Sequence, residues 1–137
     1  MHSDGGYGMT GEDIIKYYGN GRFASYCGIS LSEDVHDGSI SAKAEILPQY
    51  MNGSGHVHGG FIYTLADVTG GANCRRFCDR VTTLNSDFHF LSNYATRFLY
   101  GEAAVVRIGG KVIVLRVTIK GDTGEPFAEG IFTYYKV

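Results

Sequence analysis

Between Asn52 and Asp67 the chain reads Asn-Gly-Ser-Gly-His-Val-His-Gly-Gly-Phe-Ile-Tyr-Thr-Leu-Ala-Asp. A polar loop ends at His58-Gly59-Gly60. A run of apolar and small residues follows, and its pattern predicts a helix from His58 to about Phe77. From Gly59 to Cys74 the one formal charge is Asp67. A surface helix of a globular protein carries a polar face, so a helix this poor in charge needs apolar cover on most sides. Carboxylates are rarely buried without a partner or a task.

The flanking segments supply that cover. Ile29 to Val35 reads as a strand, and His36-Asp37-Gly38-Ser39 carries the Asp-Gly signature of a tight hairpin. On the return, Ile40, Ala42, Ala44 and Ile46 alternate with Ser39, Ser41, Lys43 and Glu45, so one face packs inward. After the helix only strand signals follow, at 81–91, 96–108, 111–120 and 127–137. Gly109-Gly110 and Gly121 to Gly124 mark the turns between the last three. Along the third run, Ile113, Leu115, Val117 and Ile119 share a face. The expected fold is α+β, a curved antiparallel sheet wrapped around one long central helix. A short helix is expected from Thr10, as N-cap, to about Tyr18, with Asp13 completing a weak capping box.

With 137 residues the chain suits one domain over 10–137 behind a loose tail at 1–9. No apolar stretch approaches the roughly 20 residues of a membrane span. The N-terminus lacks the basic-then-apolar order of a secretion signal, so a cytoplasmic location is expected. A net charge of -2 without a basic cluster argues against nucleic acid as partner. Cys27, Cys74 and Cys78 form no disulfide framework, and Cys74 with Cys78 lacks the further ligands of a zinc site. No metal is expected.

Chemistry is expected where the loop meets the helix. A helix N-terminus presents unpaired backbone N–H groups and a partial positive charge, which suit an oxyanion. Gly59 and Gly60 leave those donors uncovered. Two uses remain open, an oxyanion site or simply a tight loop-to-helix junction. The glycine spacing matches neither a phosphate loop nor a dinucleotide fingerprint, so a carbonyl oxygen fits better than a nucleotide. Asp67 follows His58 by nine residues, about 13 Å along the axis and about half a turn around it. One helix cannot bring its own first-turn amide and its own Asp67 to one carbon. If the two act together, they come from two copies in a symmetric dimer.

Asn52, six residues before His58-Gly59-Gly60, followed by Leu65-Ala66-Asp67, resembles the signature of the hotdog-fold acyl-CoA thioesterases. The resemblance is greatest to the phenylacetate-pathway (PaaI-like) thioesterase subgroup. It extends over most of the chain from about Ile29 and includes Phe90-Leu91. It implies that Gly59 supplies the N–H polarising the thioester carbonyl. Asp67, from the partner subunit, would act as base or nucleophile. Asn52 and His58 would shape the loop and orient the thioester or the water. The hydroxyl residue accompanying the acid would be Thr83, with Thr82 one register away, and Gly60 and His56 would adjoin the substrate. The implied protein is a homodimer, expected as a dimer of dimers, with acyl-CoA as its small-molecule partner and no cofactor beyond that coenzyme A.

Other groups receive plainer expectations. Arg75, Arg76 and Arg80 are expected as solvated charges, with coenzyme A phosphates the alternative. Tyr134 and Tyr135 are expected as strand packing, and His56 by itself as a loop residue. Asp87 and His89 share a strand face and would carry the rival chemistry, a hydratase or dehydratase on the same fold. A non-catalytic acyl-CoA-binding module is the other rival.

Overall fold

The computed structural model describes residues 8–20 and 22–137 of the chain. Its elements run α1 (Gly11–Tyr18), α2 (Phe23–Tyr26), β1 (Ser30–Glu33), β2 (Ile40–Glu45), a single 3-10 turn (Pro48–Tyr50), α3 (Gly59–Cys74), β3 (Val81–Phe90), β4 (Phe98–Ile108), β5 (Val112–Lys120) and β6 (Pro126–Lys136). The six strands form one antiparallel sheet in the order β1-β2-β4-β5-β6-β3. It curls around α3, which packs against β2 through β6. This is the hotdog fold.

The patterns behind the expectation hold residue by residue. In β5, Ile113, Leu115, Val117 and Ile119 are fully buried. In β2, Ile40, Ala42 and Ala44 face the core while Ser41, Lys43 and Glu45 face solvent. Helix α3 buries ten of its sixteen residues, as its lack of charge demands. Two glycines set how closely helix and sheet approach. A Cβ on Gly101 of β4 would overlap the Thr69 hydroxyl, and one on Gly70 of α3 would overlap the Tyr134 hydroxyl. Asn73 ties the helix to the start of β2: its amide donates to the Ile40 carbonyl (2.8 Å) and accepts the Ile40 N–H (3.0 Å).

Several boundaries differ from expectation for physical reasons. The β1–β2 connection is not a tight Asp-Gly hairpin, and β1 stops at Glu33. The Asp34 carboxylate accepts the N–H groups of His36 (2.7 Å) and Asp37 (3.3 Å), which opens a wider loop that Gly38 turns at φ 76. Helix α3 ends at Cys74 because the next three residues tighten into i→i+3 bonds, with Phe77 N–H donating to the Cys74 carbonyl (2.9 Å). The one-turn α2 and the 3-10 turn carried no periodic signal. Of the tail expected at 1–9, residues 1–7 lie outside the described residues. Gly8 is buried, and the Met9 N–H donates to the Arg75 carbonyl (2.6 Å), an acceptor that the helix end leaves free. Thr10 caps α1, its hydroxyl accepting the Asp13 N–H. Among the described residues no helix is long and apolar enough to cross a membrane.

Candidate active site

The loop before α3 is organised by Asn52. Its Oδ1 accepts the N–H groups of Ser54 (2.9 Å) and His56 (3.0 Å), and its own N–H donates to the His56 carbonyl (2.7 Å). A bridge between Met51 and Val57 closes the loop and delivers His58 to the N-cap of α3. There His58 has extended backbone (φ -63, ψ 134), and its Nδ1 accepts the Gly60 N–H at 2.8 Å. Phe61 and Ile62 donate back to the His58 carbonyl. The Gly60 amide is therefore taken by the cap. The Gly59 N–H donates to nothing among the described residues. Asn52 and Gly59 line one depression with Ile62, Phe90, Leu91 and Asn93.

Asp67 sits half-buried on the side of α3 that leans on β3 and β6. Thr83 Oγ1 donates to its Oδ1 at 2.7 Å. From β6 the Tyr134 hydroxyl donates to the Asp67 carbonyl (3.1 Å) and to Oδ1 (3.2 Å). One turn earlier, the Tyr63 and Ser86 hydroxyls pair at 2.7 Å. Rings of Tyr63, Phe88 and Phe132 meet at 5.4–5.5 Å around this seam and fix its spacing. Burial first, then the Asp67 charge, pushes the Tyr134 hydroxyl far above the usual phenol range, so it acts as a donor only. Burial does the same to the Cys74 thiol, one helix turn beyond Gly70, and keeps it protonated.

The named residues thus fall into two groups. Asn52, His58, Gly59 and Gly60 gather at the helix start, and Asp67 with Thr83 gathers two turns further along. Within one chain nothing joins the two groups. His56 is exposed and lines a neighbouring depression with Gly55, Asn93 and Tyr94. Thr82 is exposed, on the opposite face of β3 from Thr83. Asp87 and His89 pair with each other at 3.3 Å, 83% and 66% exposed, on the strand face that alternates with Ser86 and Phe88. They look away from α3.

Two expectations are corrected. Arg75 and Arg76 are not solvated charges. Arg75 is buried, donates to the Asp79 carbonyl (2.6 Å) and lies 4.1 Å from the Tyr17 ring centroid. Arg76 donates to the Asp37 carbonyl (3.0 Å). Both satisfy carbonyls left by the helix end and the β1–β2 loop, and Arg80 alone of the three is exposed. Tyr134 is not packing alone, since it touches the acid. Its sequence signal was present: it shares inward parity with Phe132, so its hydroxyl had to find a buried acceptor. The cysteines are free and buried, and no group of three or more His, Cys, Asp or Glu among the described residues could hold a metal.

Comparison with known proteins gives the chain its family. Residues 54–128 match the model of the thioesterase superfamily. A Halobacterium salinarum protein whose name proposes it as an esterase is 31% identical over 126 residues, covering 81% of this chain and 82% of its own. A Bacillus halodurans protein solved with CoA superposes with TM-score 0.79 at 24% identity, over 93% of this chain and 89% of that one. The Escherichia coli PaaI protein, from the phenylacetic acid degradation operon, gives TM-score 0.82 at 19% identity, over 94% and 96%. At these identities the two solved structures speak for the fold alone. The family match runs from Ser54 in the loop before α3 to Ala128 near the start of β6, more than half of the chain, and it takes in His58, Gly59, Asp67 and Thr83: the chain belongs to the thioesterase superfamily.

Proposed function

We propose that the protein hydrolyses an acyl-CoA thioester to the free acid and coenzyme A, as a dimer whose two sites each draw on both copies. The observation that carries this reading is the free Gly59 amide at the start of a charge-poor helix whose single acid, Asp67, is held by two hydroxyl donors. The superfamily supports thioester chemistry, and the CoA in the Bacillus halodurans structure supports coenzyme A as the thiol. The PaaI-like subgroup is part of the proposal, resting on the helix motif and the shared fold.

In this mechanism the thioester carbonyl oxygen accepts the Gly59 N–H and the positive end of the helix dipole. Asp67 of the partner subunit either takes a proton from the attacking water or attacks the carbonyl carbon itself, giving a mixed anhydride that water then opens. Either way the C–S bond breaks and coenzyme A departs as a thiolate, whose conjugate acid has a pKa near about 8.5, so no strong general acid is required. His58 and Asn52 hold the loop, with Gly60 and His56 beside the entering substrate. Thr83 steadies the acid, and Thr82 lies at the seam between copies. No cofactor takes part.

The open edge of β3 supports the dimer, since among the described residues β3 pairs only with β6 and its ten residues leave one edge to a second copy. Exposed Val105, Val106 and Ile108 leave apolar surface toward the end of β4 on which dimers could pair. The hydratase alternative finds no support, because Asp87 and His89 face away from α3. The test is thiol release from a panel of short, long and aryl acyl-CoA esters by wild type and Asp67→Asn. Turnover that falls at least about a hundredfold in the variant is expected. A variant as active as wild type removes the acid from the mechanism, and ester binding without turnover in wild type selects the binding module.

A further inference from the structure

We propose that Tyr134 is a positioning residue for Asp67: its hydroxyl, admitted through a notch at Gly70, ties the carboxylate down by Oδ1 and leaves Oδ2 as the reacting oxygen. This rests on the reading of Asp67 as base or nucleophile. Three observations converge. Both donors to the carboxylate, Thr83 Oγ1 at 2.7 Å and Tyr134 Oη at 3.2 Å, address the same oxygen, Oδ1. Oδ2 has no partner among the described residues. Nor is it sealed away, because among the described residues the buried side-chain polar atoms without a partner are Arg75 Nε and Asp79 Oδ1. Tyr134 Oη also reaches the Asp67 main-chain carbonyl at 3.1 Å, so one hydroxyl clamps side chain and helix backbone together.

The notch is what brings that hydroxyl within reach. A Cβ at position 70 would overlap Tyr134 Oη and come within 2.8 Å of Cζ. Glycine in a helix interior is destabilising relative to alanine, and here the neighbouring ring occupies the vacated space. The ring is held in that space: Tyr134 is 1% exposed and stacks on Phe132 at 6.2 Å between centroids. A buried phenol needs only one acceptor, and the Asp67 carbonyl would have sufficed. The second contact, to Oδ1, is what couples the tyrosine to the chemistry.

Thiol-release kinetics on Tyr134→Phe, Gly70→Ala, Asp67→Asn and the Asp67→Asn/Tyr134→Phe double variant test this, with melting temperatures measured alongside. Tyr134→Phe removes one oxygen and keeps the ring. It should lower kcat about ten- to a hundredfold, the effect of one hydrogen bond to a charged group, with KM within about twofold and the melting temperature nearly held. In the Asp67→Asn background the same change should lower kcat no further, since the group it positions is gone. A kcat within about twofold of wild type, or an equal further loss in the double variant, overturns the positioning role and leaves the thioesterase reading intact. Wild-type turnover in Asp67→Asn overturns both. Should Tyr134→Phe not fold, Gly70→Ala serves, because its methyl must push the hydroxyl off Oδ1. The same selective loss of kcat is expected, and an unchanged kcat overturns the proposal.

Discussion

At Gly59 a single backbone hydrogen separates two uses of a glycine pair. Both glycines could have eased the junction, and the residue pattern alone left that choice open. The distinction lies in where His58 Nδ1 points: it takes the Gly60 amide at 2.8 Å and leaves the amide of Gly59 free. A ring nitrogen's direction depends on backbone angles that no spacing rule encodes. Those same angles make a clean test. Proline lacks the N–H, is favoured at the first helical position, and needs an extended residue before it. His58 meets that need at φ -63 and ψ 134, and a Cβ at position 59 would meet Phe90 Cζ at 3.4 Å, an ordinary contact. Gly59→Pro should therefore lower kcat about 10²–10³-fold, the usual effect of losing one oxyanion donor, with its melting temperature close to wild type. Steady-state kinetics beside a thermal melt check this. A variant that turns over normally would move the oxyanion donor elsewhere.

Elements were legible where the pattern that forms them is local. Alternation in β2 and β5, and the lack of charge in α3, each state a burial requirement within one segment, and each is met. What could not be read depends on partners far along the chain. The Arg75 guanidinium lies over the Tyr17 ring of α1, and Tyr134 reaches the acid 67 residues away. Asn73 belongs to the same class. Its buried amide gives the helix four hydrogen bonds: to both main-chain groups of Ile40, to the Thr69 carbonyl, and from the Arg76 guanidinium. Asn73→Ala would strand the Ile40 N–H and carbonyl in the core beside Ala72. Each buried group left unsatisfied costs about 1–3 kcal/mol, so the variant should lose on the order of 3 kcal/mol. Urea denaturation measures it as a lower midpoint at unchanged slope. A loss below about 0.5 kcal/mol would show that water replaces the amide and that packing alone docks α3 on β2.

For the whole molecule the open edge of β3 matters most. A ten-residue strand with one edge unpaired is a hazard unless something covers it, and exposed Leu84 and Phe90 on β3 add apolar surface there. Asp67 lies on the side of α3 that leans toward this edge, through Thr83 of β3 itself. Pairing two β3 edges about a twofold axis would set the helices side by side, and the start of one could then approach the acid of the other. If so, Gly59→Pro and Asp67→Asn disable different halves of each site. A dimer mixing the two variants has one site with both defects and one with neither. In co-expressed equal amounts about half the dimers are mixed and each keeps one good site of two, so about a quarter of wild-type turnover should return. The two variants purified separately should each be nearly dead. Were the donor and the acid used in one chain, every site in the mixture would carry a defect, and turnover would stay at the average of the two variants.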